Sequence, residues 1–186
     1  MCSSDLISRS EITVDQYQKC MEAGVCTKAD DKSIDPACNL GWDDRLRHPI
    51  NCVDWYQSRT YSQWIGGDLP TEEQWYYAAT GGGQNIEYPW GNEVPTCQLA
   101  NYYGCVGRTA PVCSTIGGNT AQGLCDMGGN VWEWNFDLYD ITSALRVYRG
   151  GGWYNGASYL RSANRLNDSP SNRSDSLGFR VARSVH

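Results

Sequence analysis

The stretch Gly123-Leu124-Cys125-Asp126-Met127-Gly128-Gly129-Asn130-Val131-Trp132-Glu133-Trp134 constrains the fold more than any other part of the chain. Its first half is a turn in which glycine takes φ > 0 without steric penalty, so backbone carbonyls can converge. Its second half alternates large apolar residues with others, as a strand does. Asp126, Asn130 and Glu133 bring hard oxygens to the turn at short spacing, which suits Ca²⁺ better than a transition metal. The same residues also fit a plain tight turn entering a core strand, with Trp132 and Trp134 as core.

The chain has 186 residues and no linker or charge run that would divide it, so a single domain spanning 1–186 is expected. Its formal net charge of −6 argues against a nucleic-acid backbone or an anionic membrane as partner. No apolar run is long enough to span a membrane. Trp and Tyr, at 8 and 12 against Phe 2, suit half-buried strands and binding surfaces. The 9 cysteines contain no C-x-x-C pair, and His48 and His186 lie far from any cysteine cluster, so disulfides in an extracytoplasmic compartment are favoured over zinc. Cys20/Cys26, Cys97/Cys105 and Cys113/Cys125 are close enough for local bridges, while the connectivity as a whole stays open. Cys2 is the candidate for the odd cysteine, and its place beside the start is compatible with a lipid anchor.

Along the chain, Thr13 and Gln16 have the spacing of a capping box and open a helix Asp15–Glu22 that stops at Gly24. Residues 27–49 read as an irregular loop. Asp54 caps a helix from Trp55 to about Trp64, closed by Gly66-Gly67. Thr71 and Gln74 form a second capping box for a helix Glu72–Ala79, with Trp75, Ala78 and Ala79 as its apolar stripe. Glu72 reads as a first-turn charge favoured by the helix dipole, not as a general base. Strands are expected at Arg146–Arg149, Tyr159–Arg165 and Leu177–Arg183. Helices early and strands late give an α+β fold with an irregular, mainly antiparallel sheet.

Several segments in this order resemble the formylglycine-generating-enzyme (sulfatase-modifying factor) family, which is built on a C-type-lectin-like fold. They are Glu11-Ile12-Thr13-Val14, Pro49–Trp55, Gly67–Trp75, Tyr88-Pro89-Trp90-Gly91, the opening stretch, Arg149–Trp153 and Gly178–Ala182. The resemblance covers about residues 7–183. In that family the enzymes bind copper through paired C-terminal cysteines and oxidise a substrate cysteine. The matching segment here is Arg161-Ser162-Ala163-Asn164-Arg165, with Ser162 at the cysteine position, and no cysteine follows Cys125. A serine hydroxyl is neither a soft Cu(I) ligand nor a thiol redox partner. The histidine-rich iron site of the related sulfoxide synthases cannot be built from two isolated histidines. The resemblance therefore implies a chain that is not an oxidase. It also implies a structural Ca²⁺ held by the side chains of Asp126 and Glu133 and the backbone oxygens of Gly129 and Val131. A second family calcium site would begin at Asn101-Tyr102, but its acidic ligand is missing from the shortened Tyr103–Val106 loop.

The expected ligand surface is a variable region over residues 146–178. Fixed-looking pieces are interrupted there by Tyr148, Tyr154, Asn155, Gly156, Ser158, Tyr159, Leu166, Asn167, Asp168, Ser169, Ser171, Ser174, Asp175 and Ser176. Each is Asn or arises from an AAC codon by changing adenines, and no Lys, Glu, Gln or Met interrupts residues 148–176. This is similar to the variable regions of proteins rewritten by diversity-generating retroelements, which share the C-type-lectin-like fold. The resemblance implies a non-catalytic protein that binds a protein or other surface ligand through tyrosine anchors and adaptable polar residues. The alternative is an undiversified, catalytically inactive relative acting as a structural or adhesion module.

Overall fold

The computed structural model describes residues 6–183. Cys2 lies outside the described residues. Three helices come first. Helix α1 (Val14–Glu22) starts at Thr13, whose hydroxyl accepts from the Gln16 N–H while the Gln16 side chain accepts from the Thr13 N–H. Helix α2 (Trp55–Trp64) repeats this box with Asp54 and Gln57, and α3 (Glu72–Ala79) with Thr71 and Gln74. Each box satisfies N–H groups that the first helical turn leaves without partners. The expected helices thus hold nearly residue for residue.

Among the described residues six strands follow: β1 (Leu6–Ile7), β2 (Trp132–Leu138), β3 (Arg146–Arg149), β4 (Leu166–Asp168), β5 (Leu177–Gly178) and β6 (Ala182–Arg183). They form a four-stranded sheet in the order β4-β3-β2-β5 and a two-stranded sheet of β1 with β6. All pairings are antiparallel except β2 with β5, where Trp132 lies beside Leu177. A register shift between Trp134 and Leu138 bends β2 beyond its core half.

Two strand expectations are corrected. Residues 159–165 are not a strand: Ala157–Leu160 is a short 3₁₀ turn, and Asn164 N–H closes a further turn on the Arg161 carbonyl. The physical reason is Leu160, which is buried with Tyr88 and Ala100 and pulls the chain inward where a ladder would need it extended along an edge. Leu177–Arg183 is two strands in two different sheets. Between them Phe179 and Arg180 enter the interior, and a Cβ on Gly178 would stand 2.5 Å from the Ile50 carbonyl oxygen. The chain therefore threads between elements there.

The main core joins Tyr17 of α1, Trp55 and Tyr61 of α2, Ile50, Val53, Phe179, and Trp132 and Trp134 of β2. Trp134 and Trp55 use their indole N–H groups on the backbone oxygens of Val53 (3.2 Å) and Asn135 (2.8 Å), so burying them strands no donor. Each such aromatic contributes about 1.5–3 kcal/mol by burial. Four disulfides pin the loops: Cys20–Cys26, Cys97–Cys105 and Cys113–Cys125, as their spacing allowed, and Cys38–Cys52. Four bridges mark a chain that folds in an oxidising, extracytoplasmic compartment. No helix among the described residues is long and apolar enough to cross a membrane.

Candidate functional site

The opening stretch builds a buried acidic centre. Asp126 and Asn130 both take left-handed backbone conformations (φ 54° and 66°), flanking Gly129 at φ 97°. A Cβ on Gly129 would lie 2.6 Å from the Asn101 oxygen, so the turn needs glycine there. Glu133, on β2, is fully buried. Its Oε1 accepts from Arg180 Nη2 (2.6 Å), and its Oε2 accepts from Arg180 Nε (2.6 Å) and Trp75 Nε1 (2.6 Å). Asp126 Oδ2 accepts from the Cys113 N–H (2.6 Å) and Oδ1 from the Thr115 hydroxyl (3.1 Å). Asn130 joins the centre through Glu11: its amide donates to Glu11 Oε2 (2.7 Å) and its oxygen accepts from the Ala110 N–H (2.8 Å).

Sequence reasoning missed Glu11 and Arg180 as members of this centre. Glu11 Oε1 accepts from the Val131 N–H (3.1 Å), and Arg180 also donates to the backbone oxygens of Ser8 and Cys125. Arg180 sits in the apolar segment Leu177–Ala182, where a charge was the available signal; Glu11, between Ser10 and Ile12, carries none. Burial, with Asp126 and Glu133 nearby, holds the Glu11 carboxyl well above its ordinary pKa. Burial likewise raises Asp126, against the bonds from Cys113 and Thr115. Three carboxylates thus share one guanidinium.

A carboxylate offers about four lone-pair sites. Glu133 uses three and Asp126 two in the bonds above. Among the described residues no N–H or hydroxyl donates to the carbonyl oxygens of Gly129 or Val131. One position on Glu133, two on Asp126 and the two carbonyls are left without a donor, and all are hard oxygens of the kind Ca²⁺ takes. No group of three or more His, Cys, Asp or Glu side chains among the described residues could hold a metal, so carbonyls would have to complete the shell.

The variable region lies on and beside β3 and β4. Tyr154, Gly156, Ser158, Tyr159 and Ser171 are exposed; Tyr148, Asn155, Leu166, Asn167, Asp168, Ser169, Ser174 and Asp175 are half-buried. Ser176 is buried at 2% exposure, with its carbonyl bound to the Trp132 N–H, and stands outside the surface expected of it. The rest fall into two groups. The first surrounds Trp132. Tyr148 and Tyr159 pack edge-on against that indole at 5.1 and 6.0 Å, Asn155 Oδ1 accepts its N–H at 2.8 Å, and Leu166 pairs with Tyr148 across β3 and β4. The second is a turn at 168–175. Asp168 accepts from Asn172, and Ser169 bonds Ser171. Arg173 reaches back to Asp30 and Asp54, anchoring this turn to the start of α2.

The segment matched to the enzymes' cysteine is closed. Ser162 is fully buried, and its hydroxyl has no partner. Arg149 Nη1 donates to the Ser162 carbonyl (3.0 Å). Arg149 and Arg165 both bind Glu72, so that first-turn residue of α3 also clamps the helix to β3 and to residues 161–165. A cleft of about 900 Å³ lies alongside, lined in part by Tyr76, Tyr139, Arg146 and this ion cluster.

The family described as "Sulfatase-modifying factor enzyme 1-like domain" matches residues 4–185. The chain is 35% identical over 156 residues to "Serine/threonine-protein kinase pkn1" of Chlamydia caviae, covering 75% of this chain and 24% of that protein. It is 34% identical over 158 residues to "Inactive C-alpha-formylglycine-generating enzyme 2" of Bos taurus, covering 76% and 52%. The chain thus spans a quarter to a half of the length of these relatives. Among solved structures it superposes on "Treponema denticola variable protein 1" with a TM-score of 0.77 at 24% identity, covering 97% of this chain and 84% of that one.

Proposed function

This chain belongs to the sulfatase-modifying-factor family, with its C-type-lectin-like fold, and from that premise we propose that it is a non-catalytic ligand-binding protein with a diversified C-terminal surface. One observation carries the reading. Within residues 148–176, the interposed residues other than Ser176 are exposed or half-buried, while Arg149, the three glycines after it, Leu160 and Ser162 are buried. Arg161, Ala163 and Arg173 are exposed as well, so it is the buried Arg149, glycines, Leu160 and Ser162 that would hold the scaffold while the interposed positions vary. Tyr154 and Tyr159 supply rigid contact area, and Ser158, Asn167 and Ser171 supply adaptable polar groups. The partner is a protein or other surface ligand of a secreted or cell-surface molecule. A fold neighbour named as a variable protein is in keeping with this. DNA sequencing downstream of the gene tests it. A near-identical repeat differing at adenines, with a reverse transcriptase, is expected; finding neither overturns diversification. The remaining reading would then be an inactive structural or adhesion module.

The absence of catalysis rests on Ser162, whose buried hydroxyl cannot serve as a thiol or a Cu(I) ligand. Copper-loaded protein is expected to leave a cysteine-containing sulfatase peptide unoxidised; formation of an aldehyde on that peptide would reject this.

Ca²⁺ would sit between Asp126 and Glu133, with the Gly129 and Val131 oxygens, and offset the excess negative charge of the centre. A chelator is expected to lower the melting temperature of the native protein, and Asp126→Ala to lower it and remove the chelator response. An unchanged melting curve on chelation of the native protein rejects the ion.

A further inference from the structure

Two loops that touch through their backbones expose four apolar or aromatic side chains. Tyr103 (71% exposed) and Val106 (55%) lie on residues 101–108, and Tyr154 (47%) and Tyr159 (38%) on residues 152–159. The Tyr103 N–H joins the loops by donating to the Asn155 carbonyl (3.0 Å). The first loop is tightly held. Cys97–Cys105 closes it. Tyr102 packs beside Tyr88, Ala100 and Leu160 and donates its hydroxyl to the Pro95 carbonyl (3.1 Å). The Asn101 side chain spans the loop, donating to the Arg108 carbonyl (2.8 Å) and accepting from the Val106 N–H (3.4 Å). Neither the Tyr103 ring nor the Val106 side chain takes part in these contacts. Charge is distributed unevenly around them. Residues 94–125 and 141–167 contain no Asp or Glu, in a chain with 21 of them. Arg108 is exposed and makes no ion pair within 4.0 Å among the described residues. Arg45 lies near it, and Asp44 partly offsets the two. Glu87, which borders the second loop, is paired with Arg161 (2.6 Å).

We propose that Tyr103 and Val106 form a fixed edge of the ligand surface, and that this edge docks a protein presenting an apolar patch beside a carboxylate, which Arg108 takes. The inference rests on the reading of residues 146–178 as the ligand surface and extends that surface to residues that do not vary. A tyrosine on an already ordered loop gives up little freedom when a partner covers it, so more of the contact appears as affinity. Such rings are enriched among the hot spots of protein interfaces. Val106 sets the class of partner, since an isopropyl group gains from apolar contact and not from the hydroxyls of a sugar. Arg108 sets its charge. In a chain of net charge −6, an acid-free face is where a carboxylate meets least repulsion. A constant edge of this kind keeps part of the affinity while the neighbouring positions change the specificity.

The test displays the full chain on yeast, randomised at Tyr154, Ser158, Asn167 and Ser171, and sorts it against β-lactoglobulin, an acidic folded protein. Tyr103→Ser is then placed in each selected clone. It is expected to weaken β-lactoglobulin binding roughly tenfold in most clones and to leave the melting temperature of the parent chain unchanged. Tyr77→Ser, at a tyrosine of α3 that is 62% exposed, is expected to change neither. Arg108→Gln should weaken binding by less, with a loss that shrinks as salt rises. Clones that bind as tightly with Tyr103→Ser overturn the fixed edge and leave the ligand surface standing. A library that yields no binders overturns the ligand surface, and the edge with it. Equal losses from Tyr77→Ser, or a melting temperature lowered by Tyr103→Ser, would also overturn the edge, the first by making the effect general to exposed tyrosines and the second by making the ring structural.

Discussion

Glu133 and Arg180 show how one buried pair organises its surroundings. Both are fully buried, joined by two bonds of 2.6 Å, and tied to α3 through Trp75. Removing one partner leaves an uncompensated buried charge, which costs about 3–5 kcal/mol. Arg180→Met is therefore expected to lower the unfolding free energy from a denaturant titration by that amount, while Glu133→Leu with Arg180→Met together should cost less than the single change. His48 makes a separate statement about pH. Burial, with repulsion from Arg45 and Arg108, lowers its pKa from 6.5 to about 4. The unfolded chain thus takes up this proton at a higher pH than the fold does. Its contribution is complete above pH 6.5 and drains away toward pH 4, at no more than about 1.4 kcal/mol per pH unit. Glu11, held above its ordinary pKa, has the opposite slope. Hence the check is a comparison: the stability of native protein minus that of His48→Gln should fall as pH drops from 7 to 4.5, and a flat difference would reject the assignment.

Helices were legible because their boundaries are written locally. Thr13, Asp54 and Thr71 each precede a glutamine by three residues, and all three boxes form. Replacing Thr71 by Ala is expected to cost about 1 kcal/mol in a denaturant titration. The strands were less legible. Leu160 alternates correctly with its neighbours, yet its burial beside Tyr88 and Ala100 depends on residues far along the chain. The same holds for the break in Leu177–Arg183, which exists because Gly178 meets the Ile50 backbone. Disulfides divide likewise. The three short spacings suggested their own bridges, whereas Cys38–Cys52 depends on how an irregular loop folds back. Serine at both positions should lower stability by roughly 3 kcal/mol, for a loop of that length. The carboxylates Asp126 and Glu133 were readable from spacing. Their partners Glu11 and Arg180 were not, since they arrive from opposite ends of the chain.

At the scale of the whole molecule, the candidate surface separates positions free to vary from positions that only look free. Tyr154, Ser158 and Ser171 are exposed, so replacing all three together should leave the melting temperature within a few degrees. Asn155 differs, because its side-chain oxygen accepts from both the Trp132 indole and the Gly152 N–H. Asn155→Ala strands a mostly buried donor and is expected to cost about 1–3 kcal/mol by itself. Equal tolerance at Asn155 and at the three exposed positions would show that the scaffold does not depend on this bond.

The pairing of Leu6 with Arg183 places the two ends of the described chain side by side in one antiparallel ribbon, with Cα atoms about 5 Å apart. A polypeptide that entered at one and left at the other would scarcely notice the interruption. Such a unit can be spliced into the loop of a larger host as a cassette, through a single two-stranded stalk, without stretching the host or reorienting its halves. Relatives several times longer than this fold are what such portability permits.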